Sequence, residues 1–370
     1  MATNKNQHFV PRCHLKPFTV GAANAAVHLF NLDADRAIGD APVRNQCSRD
    51  YLYGQDPRLE AAIQSVEGPY GATVARLRTE DAVPTGPDHI VLRRFILLQH
   101  MRTEAAALLA SRMMAAVAEL PDVLEDGEAF DLKTMTREAV IAAMRHYGRS
   151  MRIVDDLQLT VVRNRSHTPF FTSDDPAVLT NRWHLQNRRT RGLGFGVKSA
   201  GLIMLLPLAP ELLVVLHDPD VYVVPHRHGV MEIEADAEAE ALNAHQVLNC
   251  AANLYFGKWD DRQRIAEAAR ATRPLRLDPR RRTTYAVRAG VDGEHVRYDA
   301  VPLAEIVPDP ERDVLVHTQI LRPVPARWPG FIHYRRDGRV YSNGTRAGFV
   351  RRGCIEAGFV QGEGYRRVRL

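Results

Sequence analysis

The sequence predicts an α+β protein, with a helical layer packed on a central mixed or antiparallel sheet and a small C-terminal β-rich domain. Three observations lead there. Helical periodicity is concentrated between residues 57 and 147; β-branched and aliphatic runs joined by Pro, Gly, Asn and Asp dominate 157–224; and 283–370 reads as strand and turn throughout. A Pro/Arg-rich connector at 273–282 separates an α+β core domain, 1–272, from a basic β-rich domain, 283–370.

Taken in order, Pro11 fits the first turn of a short helix that ends before Pro17 and leaves His8 just outside its start. The alternation from Ala26 to Leu32 predicts a first strand, Asp33 to Asp40 a turn, and Arg44 to Tyr53 an extended segment. A helix begins at Asp56-Pro57, Asp56 as N-cap, with Leu59, Ile63, Val66, Tyr70, Val74 and Leu77 as its buried stripe. Glu60 and Glu67, seven apart, share a face of that helix, and Gly68-Pro69 is expected to kink or break it. The strongest helical signal runs from 86 to 120 and is apolar on most sides in its first half, so Gln99 and Arg102 within it are conspicuous. A buried arginine needs an anionic partner, either a structural carboxylate or a substrate.

After an acidic loop, 122–131, a helix spans Lys133 to Tyr147 and ends at Gly148. Strands follow at 157–163, 170–172, 202–206, 212–216 and 221–224, then helices at 235–256 and 260–271. Gly192 to Gly196 has no strand before it and no clear helix after it, which makes it a loop rather than a dinucleotide fingerprint. Strands at 283–288 and 314–321 and turns at Asp337-Gly338 and Asn343-Gly344 complete the chain.

The bulk numbers narrow the class. At 370 residues with 45% hydrophobic content the chain supports a sizeable core. Cys13, Cys47, Cys250 and Cys354 form no C-x-x-C pair, so neither a disulfide framework nor a cysteine zinc site is indicated, and a reduced cytoplasm is the expected setting. The start of the chain is polar and no apolar run nears the length of a spanning helix, so no membrane partner is expected. The charge of +5 is uneven: residues 329–370 hold nine arginines against three acids, leaving the rest near −1. Arg335, Arg336, Arg346, Arg351 and Arg352, interleaved with aromatics, could hold nucleic acid through phosphate contacts and stacking, or form a solvated face.

Three stretches carry a resemblance. His8-x-Val10-Pro11 with Leu15 and Phe18, Gln99-x-x-Arg102-Thr103, and Thr172-Ser173-Asp174-x-Pro176 occur in that order, followed by Pro207-Leu208-Ala209-Pro210 and an Asn-bearing helix around Asn243. The combination resembles the bacterial domain of unknown function 4238 family over about residues 5 to 257, while 283–370 lies outside its pattern and Cys13-His14 stands where the family more often has aromatics. The resemblance implies little chemistry. Some relatives occur among candidate antiviral defence genes, which implies activity on nucleic acid or nucleotides.

If His8, Glu67, Gln99, Arg102, Asp174 and Asp175 converge, Glu67, Asp174 and Asp175 can hold Mg²⁺ or Mn²⁺. Arg102 and Gln99 can then grip a phosphate, and His8 with Asp174 and Asp175 can handle protons. That is the design of a metal-assisted nuclease or related phosphoryl-transfer hydrolase. The alternatives are a non-catalytic nucleic-acid-binding or sensor protein and a small-molecule tailoring enzyme whose Gly192 to Gly196 loop covers a pocket. His226 and His228 after Pro225 could form a further metal site or be merely polar. Thr172 to Pro176 also reads as an ordinary ST/Asx turn, and Arg102 also reads as the buried partner of Asp174 or Glu67. Exposure separates the readings: paired and buried means scaffold, open to a cleft means site.

Overall fold

The computed structural model describes residues 5–103, 132–278, 280–293, 295–306 and 313–370. The acidic loop at 122–131 and the second half of the 86–120 helical signal lie outside the described residues.

A five-stranded sheet forms the centre, in the order Val230–Ile233, Gln158–Asn164, Leu212–His217, Ile203–Ala209, Val178–Thr180. Its first pair is parallel and the others antiparallel, so the sheet is mixed. Alternation along each strand divides its side chains between two cores. Leu159, Val161, Met204, Leu206, Val214 and Leu216 face the helices Pro57–Leu77, Gly86–Arg102 and Leu132–Ser150, while Val162, Ile203, Leu205, Leu213 and Val215 face the opposite way. The strands read as continuous apolar runs because both faces are covered. A smaller antiparallel sheet, Arg36–Pro42, Ala26–Asn31, Asn253–Phe256 and Thr172–Ser173, lies beside this centre. Among the described residues no helix is long and apolar enough to cross a membrane.

The first long helix starts as its sequence predicts, with the Asp56 carboxylate accepting from the Arg58 N–H at 2.9 Å and Pro57 at the first turn. It does not break at Pro69. One span runs through to Leu77, because Tyr70, Thr73, Val74 and Leu77 are buried beyond the proline and their packing outweighs the roughly 3 kcal/mol that a proline costs inside a helix through its missing N–H and its steric clash. The expected turn at Asp33 to Asp40 is largely strand, paired to Ala26–Asn31. The helix expected over 235–256 is Asp236–Asn249, and the chain then turns into the strand Asn253–Phe256.

The C-terminal residues divide. Arg281–Asp292, His295–Val301 and Val314–Ile320 form their own three-stranded sheet. Residues beyond it join the centre: Phe331, Ile332, Val340 and Phe349 belong to the second core together with Ala239 and Leu242 of the Asp236–Asn249 helix. The Asn343-Gly344 turn joins paired strands, Arg339–Ser342 and Phe349–Val350. Asp337-Gly338 does not, because His333–Tyr334 pairs with Tyr222–Val223 of the core instead.

Candidate functional site

His8 ends a three-residue strand, Asn6–His8, paired with Ser48–Asp50. Its carbonyl accepts from the Tyr53 hydroxyl at 3.1 Å, and Gln7 is tied to Tyr53 N–H and Gly54 C=O at 2.6 and 2.9 Å. The half-buried ring is therefore fixed in place. Its Nδ1 stands 3.1 Å from the Gln46 carbonyl, which can only accept, so Nδ1 carries the proton and Nε2 the lone pair. Nε2 accepts from Arg12 Nε at 3.2 Å, one turn on in the short helix Arg12–Leu15. Burial and then the Arg12 charge lower the His8 pKa, which keeps the ring neutral.

The ring opens on a cleft of about 620 Å³ between this segment and the Pro57–Leu77 helix, lined by His8, Arg12, Tyr53, Glu60, Gln64 and Glu67 among others. Glu60, Gln64 and Glu67 recur at helical spacing, so one face supplies two carboxylates and an amide. Behind the cleft lies Arg102, fully buried. Its Nη1 donates to Glu67 at 2.5 Å and its Nε to Gln99 Oε1 at 3.0 Å, while Gln99 Nε2 donates to the Phe9 carbonyl at 2.8 Å. Arg102 thus joins the Glu67 carboxylate to the backbone beside His8. It stays charged, since the attraction of Tyr53 and Glu67 overrides the burial that would lower its pKa.

The acidic corner is turned elsewhere. Asp174 is buried, with Oδ1 accepting from Ala251 N–H at 2.7 Å and Oδ2 from Ala252 and Asn253 N–H at 2.9 and 2.8 Å. These bonds bend the chain from the Asp236–Asn249 helix into the following strand, and they leave no free face for a substrate. The helix grips the same corner through Asn243 to Pro169 C=O, Gln246 to Pro176 C=O and Asn249 to Asp175 C=O, at 2.9, 2.8 and 2.6 Å. Asp175 is buried next to it, pushed up to about 7 by burial and by the Asp174 charge, with Thr103, Arg280 and Arg322 pulling the other way.

His8, Glu67, Gln99 and Arg102 are therefore brought to one place, with His8 and Glu67 facing the cleft and Gln99 and Arg102 behind it. Asp174 and Asp175 brace a chain turn. Among the described residues, no three His, Cys, Asp or Glu side chains gather in a metal-binding arrangement, so Glu67, Asp174 and Asp175 do not form a ready cation site. The arginines of the tail also divide. Arg351 is buried and spent on Asp156, Ile153 C=O and Val197 C=O; Arg335 holds Pro219 C=O, Arg346 holds Arg189 C=O, and Arg352 pairs with Asp220 and Glu356. Arg336 is exposed.

Sequence reasoning missed Arg12 and Gln64, although Arg12 stands one helical turn from His8 and Gln64 lies on the face that Glu60 and Glu67 define. It also missed His14, which bonds Tyr70 OH and Thr172 Oγ1, both at 2.8 Å, and stacks on Tyr70 and Phe95. Complete burial lowers its pKa to about 3, so it is a neutral strut that fills the place an aromatic ring would take.

Replacing Arg102 by methionine leaves the Glu67 carboxylate and Gln99 oxygen without their donor and should cost about 3–5 kcal/mol. Urea unfolding measures this, and the double change Arg102→Met with Glu67→Leu should recover part of the loss.

A family model described as Protein of unknown function (DUF4238) matches residues 6–260. No curated protein and no solved structure matches the chain.

Proposed function

From the premise that this chain belongs to the DUF4238 family of proteins of unknown function, we propose that the His8 cleft is the catalytic site of a hydrolase that cleaves phosphodiesters of nucleic acid. The observation that carries the reading is the pinned tautomer of His8: a neutral imidazole whose Nε2 lone pair faces a guanidinium at the edge of an open cleft. A phosphoryl group is a better acceptor for Arg12 than an imidazole is, so an arriving substrate draws Arg12 to its oxygens and frees Nε2. Nε2 then takes a proton from water as the water oxygen attacks phosphorus, and the leaving oxygen departs to be protonated from solvent. Glu67, oriented by Arg102, supplies a fixed acceptor across the cleft.

Purified protein is to be assayed on tRNA and on single-stranded and duplex substrates, with and without Mg²⁺ or Mn²⁺. His8→Ala should lower turnover by about 10²–10⁴-fold. Because His8 acts as a base with a lowered pKa, activity should rise through a value below about 6.5 and stay level above it. Unchanged turnover in His8→Ala would end the reading.

A second reading, a non-catalytic binder of nucleic acid, is favoured by the strand Arg366–Arg369. It sets Arg369 directly opposite Arg339, and Arg367 opposite Tyr341, on the Arg339–Ser342 strand. Arg369 is paired with Asp337 at 3.3 Å, so the charges left for a polyanion are those of the exposed Arg336, Arg339, Arg366 and Arg367. Steeply salt-dependent binding without turnover would select this reading.

A further inference from the structure

A second pocket, about 280 Å³, lies at the opposite end of the Gly86–Arg102 helix from Gln99 and Arg102 and involves neither His8 nor Glu67. The helix contributes His89 and Arg93, four apart and so on one face; the 225–229 loop contributes His226 and His228; and the strand edge contributes Gln158. No carboxylate lines it. The acids that act on its lining residues are engaged: Asp88 by Arg76 and by the Thr85 N–H, Asp155 by Arg94 at 2.5 Å and by Arg152 at 3.4 Å, and Asp156 by Arg351. Arg93 donates Nη2 to the Leu157 carbonyl at 2.8 Å, and its buried Nε has no partner.

The loop is built to hold its imidazoles still. His226 Nδ1 accepts from Gly229 N–H at 3.1 Å, so Nε2 carries the proton; the Gln158 amide group 2.8 Å away receives it through the oxygen when oriented to suit. His228 sits at φ 51° and Gly229 at φ 80°, backbone values that cost energy in the first case and call for glycine in the second. A Cβ on Gly229 would come within 2.8 Å of Pro84 Cγ, so the loop is closed tightly against the start of the helix. A rigid hollow lined by an arginine and three imidazoles, without an acid, matches an anion. Cation binding is not the match, since no three of its side chains stand in metal-ligating geometry among the described residues.

We propose that this pocket binds a small phosphate dianion, free or as the monoester of a nucleotide. Its modest volume suits a terminal phosphate and not a diester flanked by two nucleosides. The Arg93 guanidinium and the N–H groups of His89 and His228 would donate to the phosphate oxygens, forming charge-assisted hydrogen bonds in a partly desolvated place.

Calorimetric titration of the full chain with inorganic phosphate, a nucleoside 5′-monophosphate and the unphosphorylated nucleoside tests this. Saturable binding of phosphate is expected, weakened about tenfold or more by the double change His89→Gln with His228→Gln and unaffected by His8→Ala. Those two histidines are partly or fully exposed, so the double variant should fold, and circular dichroism checks that it does. Tighter binding of the monophosphate than of phosphate supports the site with a nucleotide as ligand, and equal affinities support it with the free ion. Absence of saturable binding, affinity unchanged in the double variant, or loss of binding in His8→Ala would overturn the proposal. The last result would place the anion in the His8 cleft.

Discussion

A chain ending after Arg327 should fail to unfold cooperatively, because the second face of the central sheet would lose its cover. Phe331, Ile332, Val340 and Phe349 pack there against Ile203, Leu205, Val215 and Tyr222, and all are buried. At about 1.5–3 kcal/mol for each buried side chain, removing the four forfeits about 6–12 kcal/mol. Net stabilities of domains are about 5–15 kcal/mol, so little would remain. The same cut removes Arg351, whose guanidinium ties Asp156 to two carbonyls of the core, and the pairing of His333–Tyr334 with Tyr222–Val223. Calorimetry would show a broad, low-enthalpy transition and a hydrophobic dye would bind. A sharp transition near that of the full chain would instead mean that the family-matched residues are self-sufficient.

Asp174→Ala is the second large effect. Three N–H groups, those of the exposed Ala251 and the half-buried Ala252 and Asn253, would lose their acceptor at once. A buried unsatisfied donor costs about 1–3 kcal/mol, and since water reaches these partly exposed groups the combined loss should be about 2–4 kcal/mol. Asp174→Asn, which keeps one acceptor oxygen, should lose less. Chemical denaturation of both variants measures the difference, and a loss below about 1 kcal/mol would show that the turn is held by other means. The stability loss in Asp174→Ala also bears on interpretation: reduced activity in that variant would report on folding before it reports on chemistry, whereas His8→Ala keeps the scaffold and tests the cleft directly.

Local pattern carried much of this architecture. The Asp56-Pro57 start, the burial stripe of the first helix and the apolar runs of the central sheet follow from periodicity, which depends only on neighbours in sequence. The long-range bonds were not legible. Nothing near Asp174 announces that its partners are the N–H groups of residues 251–253, because backbone donors are identical at every position. The two readings offered for Arg102 were separable only once its distance to Glu67 was known. His8 and Glu67 were legible as candidates, since a histidine beside a proline-led turn and paired glutamates on a helix face are local features. Arg12 was not, because arginine is common on exposed helix faces and its value comes from the ring it touches.

The order in which the two faces of the central sheet are closed bears on biosynthesis. Residues 158–233, which supply all five strands of the central sheet, leave the ribosome about a hundred residues before Phe331 to Phe349. For that interval, several seconds at translation rates of about 5–20 residues per second, the nascent chain presents an uncovered greasy surface. Production of this protein should therefore depend on holdase chaperones during translation more than the stability of the finished molecule would suggest.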